Sequence, residues 1–112
     1  MNYEVRVAPA AKEDIERIYY YISGELGSPV AAKNLIRKLT DSILSLSEFP
    51  TRHRLYYDEP WKSKGVRVFA VGEYLVIYGV KDSIVTVSRV LNGIMDIESI
   101  LKKDDNQQDK SS

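Results

Sequence analysis

The sequence predicts a single α+β domain, a small antiparallel sheet packed against an N-terminal helical hairpin, in the order β-α-α-β-β-β-β with a short C-terminal helix. Three observations carry this expectation. A short alternating stretch opens the chain, two segments of helical periodicity meet at Gly27-Ser28-Pro29, and residues 65 to 91 read as three strands joined by tight turns. A chain of 112 residues with 44% hydrophobic content has enough apolar side chains for one core.

In the opening stretch Tyr3, Val5 and Val7 alternate with Glu4, Arg6 and Ala8, the period of a half-buried strand, and Pro9 ends it. From about Ala10 to Leu26 the period lengthens: Ile15, Ile18, Tyr19, Ile22 and Leu26 share a helical face, and Gly27 is the stop. Tyr19-Tyr20-Tyr21 spans about 200° of that helix, which assigns Tyr19 to the core and Tyr20 or Tyr21 to the surface. Ser28 and Pro29 read as the N-cap and first residue of a second helix, whose Leu35, Ile36, Leu39, Ile43 and Leu46 point inward before Pro50. So short a link makes the two helices an antiparallel hairpin.

Arg52 to Asp58 reads as a strand, and Glu59 to Lys64 as a loop, because Pro60 has no N–H to give a sheet. Strands follow at about 65 to 71, 74 to 80 and 84 to 91. Met95 to Lys103 returns to helical spacing through Ile97, Ile100 and Leu101. The domain is thus assigned to residues 1 to 103, and residues 104 to 112, which contain no apolar side chain, are expected to be a disordered polar tail.

Sixteen basic residues balance sixteen acidic ones, so the chain lacks the excess that gives sequence-independent affinity for nucleic acid. Without cysteine there is no disulfide, thiolate metal site or cysteine nucleophile. His53, between Arg52 and Arg54, lacks a second candidate ligand, so neither metal nor cofactor is expected. Glycine-rich phosphate loops, Gly-x-Ser-x-Gly elbows and zinc spacings are missing from the sequence. The longest apolar run, Tyr74 to Val80, falls far short of the ~20 residues of a membrane helix, and the N-terminus lacks a signal-peptide profile; a cytoplasmic protein is expected.

Arg67 and Arg89 lie inside the first and third strands of the meander. If Gly72-Glu73 is a two-residue turn, Arg67 shares a face with Tyr74, Val76 and Tyr78. A second two-residue turn puts Arg89 there too; a three-residue turn puts it opposite. On the first alternative one face carries Arg67, Phe69, Tyr74, Val76, Tyr78, Val85, Val87, Arg89 and Leu91. The helical hairpin then covers Val66, Val68, Ala70, Leu75, Ile77, Ile84 and Val90. Two guanidiniums among aromatic rings suit phosphate or carboxylate recognition, against the plainer account in which each pairs with an acidic neighbour at a sheet edge. Trp61, in a loop, is a further interface candidate.

With these residues in order, the chain resembles the RelE/ParE superfamily of type II toxin-antitoxin toxins, and its ParE-like branch in particular. The similarity spans about residues 1 to 101. Ala11 to Ile22 resembles the first helix, Leu46 to Pro50 the end of the second, and Gly65-Val-Arg67, Tyr74-Leu-Val-Ile-Tyr78 and Arg89-Val-Leu-Asn-Gly93 the strand motifs. The resemblance implies a toxin held by a cognate antitoxin, which in the ParE-like branch blocks DNA gyrase by protein binding, with Arg67, Tyr74, Tyr78, Arg89 and Trp61 as partner-binding residues. The alternative it implies is a ribosome-dependent mRNA endonuclease using Arg67, Arg89 and Tyr74, assisted by Lys64 or Glu73. Against the nuclease pattern, Asn92 stands where many relatives have histidine, and Met95 where an arginine is frequent. Asparagine exchanges no proton near neutral pH, and Asn92 reads instead as the N-cap of the last helix.

Overall fold

The computed structural model describes the backbone of residues 2–111 and the side chains of residues 2–106. Alternation in the opening stretch forms β1 (Glu4–Val7), and Pro9 serves as the first residue of α1 (Pro9–Tyr20). Helix α1 buries Ala11, Asp14 and Ile18, then widens into a π-turn over Tyr21–Glu25 before Gly27, at φ +64°, turns the chain. Tyr20 and Tyr21 are both exposed, Tyr19 half-buried. Pro29 opens α2 (Pro29–Leu44), which buries Ala32, Leu39 and Ile43; Ser28 holds the N-cap position without a side-chain hydrogen bond.

Three strands follow: β2 (Arg67–Val71), β3 (Tyr74–Lys81) and β4 (Ile84–Asn92). Both meander turns are two residues long, with positive φ at Gly72 and at Asp82. The sheet order is β1-β4-β3-β2, and β1 runs parallel to β4. It is therefore a mixed sheet rather than the antiparallel one expected. A parallel pair needs a long crossover, and the helical hairpin with the meander between β1 and β4 supplies it, while the Tyr3 N–H bond to the Ser47 carbonyl (2.8 Å) ties β1 to the end of the hairpin.

Arg52–Asp58 is not a strand. Leu55 makes a single antiparallel bridge with Arg67, flanked by Tyr56 N–H to Val66 O at 2.7 Å and Val68 N–H to Arg54 O at 3.1 Å. Pairing stops there because Arg52 folds back over the end of α2, donating to the Glu48 carbonyl at 2.6 Å and the Ser45 hydroxyl at 2.7 Å.

The hairpin covers the face opposite to the expected one. Its Ile18, Leu39, Ile43 and Leu46 pack on Val71, Tyr74, Val76, Tyr78, Val85, Val87 and Val90. Val5 and Val7 pair with Val85 and Val87, so β1 adds its apolar side chains to that same face and the chain passes directly from it into α1. The other face carries a smaller core, in which Val68, Ile77 and Leu91 meet Tyr56 and Trp61 of the preceding loop and Ile97 and Leu101 of α3 (Ile97–Ser111).

Helix α3 begins two residues after the expected start and its backbone runs past Lys103 to Ser111, where a disordered tail was expected; Ser112 lies outside the described residues. Asp104 and Asp105 reach back to Arg89 and Lys64, contacts that composition alone does not reveal. The N-cap of α3 is Asp96, whose carboxylate accepts from the Ser99 N–H and hydroxyl, whereas Asn92 accepts from Ile94 N–H in a turn before the helix.

Candidate functional site

The best-built polar cluster starts from Asp14, a carboxylate on the inward stripe of α1 with 2% of its surface exposed. It accepts two parallel bonds from Arg89, from Nε to Oδ2 and from Nη2 to Oδ1, both at 2.8 Å. Oδ2 also accepts the Val90 N–H at 2.9 Å, satisfying β4 just past the point where β1 stops covering its edge. Arg89 Nη1 reaches Asp104 of α3 at 3.3 Å. The hydrogen bonds from Arg89 to Asp14 raise the guanidinium above its ordinary range. Arg89 thus joins α1, β4 and α3 and has little donor capacity left for a substrate.

A one-residue bulge put it there. Tyr78 pairs with Val87 but Ile77 pairs with Arg89, so Ser88 is the extra residue and its hydroxyl donates to the Ile77 carbonyl at 3.1 Å. The slip exchanges the faces of everything after Val87. Arg67 pairs with Tyr78, and because Ile77 and Tyr78 alternate, Arg67 and Arg89 lie on opposite faces, two strands apart. The expected anion-binding pair does not form.

The other expected site residues divide. Arg67 is half-buried and donates to the His53 carbonyl at 2.7 Å. Tyr78 is fully buried and donates its hydroxyl to the Pro50 carbonyl at 2.5 Å, which removes it from any interface. Trp61 is also no surface residue: it is 2% exposed, edge-on to Tyr56, inside the smaller core. Loop position misled here, because the loop folds under α3. Tyr74 belongs to the larger core, with 9% of its surface exposed. Its ring lines an apolar cleft with Ile18, Tyr21, Val90 and Met95, and burial raises its hydroxyl above the ordinary tyrosine range. Lys64 pairs with Asp105 at 3.2 Å.

Beside Arg67, His53 stacks on Phe69 with ring centroids 4.3 Å apart. Burial, and then the charge of Arg52, lower its pKa below the ordinary 6.5. A base held neutral in the fold favours the native state fully above the unfolded pKa, and that contribution is lost as pH falls through the lower folded value. Urea midpoints should therefore drop between pH 7.5 and pH 5, and His53→Gln should reduce the drop. An unchanged pH dependence in the variant would remove His53 as its source.

Sequence reasoning missed Asp14, and one signal was legible: an acidic residue three positions after Ala11 and four before Ile18, on the stripe that must face the sheet. It also missed Tyr21, Ile94 and Met95 as a group, since only the fold brings the end of α1 to the turn after β4.

The model of the family described as "ParE toxin of type II toxin-antitoxin system, parDE" matches residues 5–97. The chain belongs to the ParE toxin family. No curated protein is significantly similar to this ParE-family chain. Among solved structures, one from the chromosomal ParDE toxin-antitoxin system of P. aeruginosa is similar, with 17% identity over 80% of this chain and 95% of that one and a TM-score of 0.66. The toxin-antitoxin complex RelBE2 of Mycobacterium tuberculosis contains another, 20% identical over 82% of this chain and 99% of that one, with a TM-score of 0.61. At these identities the likeness is one of fold. In this ParE-family toxin the strand arginine Arg89 is a structural tie, and exposed apolar side chains near the Tyr74 cleft include Tyr21, Ile94 and Met95.

Proposed function

We propose that this toxin acts by binding a protein target, with DNA gyrase as that target, and that a cognate antitoxin neutralises it. The observation that carries the reading is the Arg89 guanidinium, held by both carboxylate oxygens of Asp14 and, more loosely, by Asp104. An endonuclease needs free cations around a cyclising phosphate and a group that moves a proton. Here one strand arginine is neutralised and the other lies on the opposite face. Asn92 holds a turn. The ParE family match favours gyrase over the ribosome as the target class.

One observation favours a second reading. His53, kept neutral, sits beside Arg67 and Arg52 at the sheet edge, and these are groups an mRNA endonuclease can use. Inducing the protein and measuring both plasmid supercoiling and mRNA integrity separates the two. Altered supercoiling with intact transcripts is the expected result. Codon-phased transcript cuts with normal supercoiling would replace it with the endonuclease.

A further inference from the structure

Helix α3 is held to the molecule in two unlike ways. Its first turns are fastened by apolar packing, with Ile97 and Leu101 buried in the smaller core and Ile100 packed against it. From Lys102 to Ser111 the sequence Lys-Lys-Asp-Asp-Asn-Gln-Gln-Asp-Lys-Ser has no apolar side chain, yet the backbone stays helical. Little in that stretch favours a helix by itself. Asn, Asp and Ser are weak helix formers, and Asp104, Asp105 and Asp109 put negative charge toward the end where the helix dipole is already negative.

Charge is what ties this second half down. Asp104 meets Arg89 Nη1, on β4, at 3.3 Å, and Asp105 meets Lys64 Nζ, in the loop before β2, at 3.2 Å. Two consecutive acids therefore reach from the loop to the sheet. Both contacts are longer than the 2.8 Å pair of Arg89 with Asp14, and both acid side chains are 36% exposed. Pairs of this length and exposure are weak and are screened by salt. Letting go of Asp104 leaves Arg89 compensated, because both oxygens of Asp14 still accept from it. The second half can thus come away without opening either core.

We propose that the second half of α3 is an electrostatic strap, an internal acidic segment that closes over Lys64 and Arg89 Nη1, withholds them from outside anions, and unwinds as ionic strength rises while the first half stays docked. The strap works in the same way whichever target the toxin binds. It makes the accessible charge of the loop before β2 a function of salt in a chain whose net charge is zero.

Amide hydrogen exchange followed by mass spectrometry on the full chain tests it. Raising NaCl from about 0.01 M to about 1 M shortens the screening length from roughly 30 Å to roughly 3 Å, and exchange over residues 104 to 111 should rise at least about threefold against an unstructured reference peptide. Exchange over residues 97 to 101 should not change. Asp104→Asn/Asp105→Asn should exchange at low salt as the wild type does at high salt, although removing acids near a helix C-terminus would by the dipole alone slow it. Lys64→Gln lies outside the helix and should show part of the same increase. Limited acetylation gives a second readout: the rate at Lys64 relative to Lys12, which is exposed and forms no ion pair among the described residues, should rise at least about twofold in Asp105→Asn. Exchange that ignores salt, halves of α3 that open together, or a Lys64→Gln variant and a double variant that both match the wild type would each overturn the strap.

Discussion

Asp14→Ala is expected to destabilise the fold by about 3–5 kcal/mol, the usual cost of breaking a buried ion pair from one side. Two groups lose their partner at once. The Arg89 side chain, 15% exposed, keeps only the 3.3 Å contact with Asp104, and the Val90 N–H, buried at the uncovered edge of β4, loses its acceptor. Replacing both partners should be milder than removing the acid alone, so Asp14→Ala/Arg89→Leu should recover part of the loss. Urea denaturation of the wild type, the two single variants and the double variant closes the cycle. If Asp14→Ala costs less than about 1 kcal/mol, the value of an exposed pair, Asp14 is not the tie described here. A toxin weakened in this way would lose function through instability, so binding or growth assays on Arg89 variants should be read only beside their melts.

Trp61→Ala is the second large expectation, at about 3–5 kcal/mol for emptying a buried aromatic site. The smaller core holds α3 through Ile97 and Leu101, and Trp61 with Tyr56 forms its floor. Its loss should therefore release α3 before the larger core opens, which circular dichroism at 222 nm would register as a helical loss at low urea. Should the variant instead keep its midpoint and only bind partners less well, Trp61 is an interface residue after all. Trp61→Phe, which retains most of the apolar bulk, should cost much less than the alanine change.

How far the fold was legible depends on how local each signal is. Two-residue turns at Gly72-Glu73 and Asp82-Ser83 follow from residues that tolerate positive φ between alternating runs, and the inward set of α2 follows from its 3.6-residue period. Exposure of Tyr20 or Tyr21 follows from the angle that three successive residues subtend, and the structure exposes both. Arg67 and Arg89 show where this ends. The second turn has two residues, the alternative that would put Arg89 on the Arg67 face, yet Arg89 lies opposite, because the extra residue Ser88 sits within a run, Val85 to Leu91, whose composition suits a strand in either register.

By itself, then, the sequence determined the kinds and order of the main elements, the neutral charge and the resemblance to ParE toxins. Each of these depends on windows of about ten residues or on composition. The tertiary structure alone decided that β1 joins the sheet parallel to β4, that the hairpin covers the Tyr74–Tyr78 face, that Arg89 is spent on Asp14 and Asp104, and that Trp61 lies beneath α3. Both faces of the meander are apolar enough to need cover, so local pattern cannot choose between them. The choice falls to the larger apolar area once β1 adds Val5 and Val7 to one side, and to the bulge that brings Arg89 within reach of a buried carboxylate.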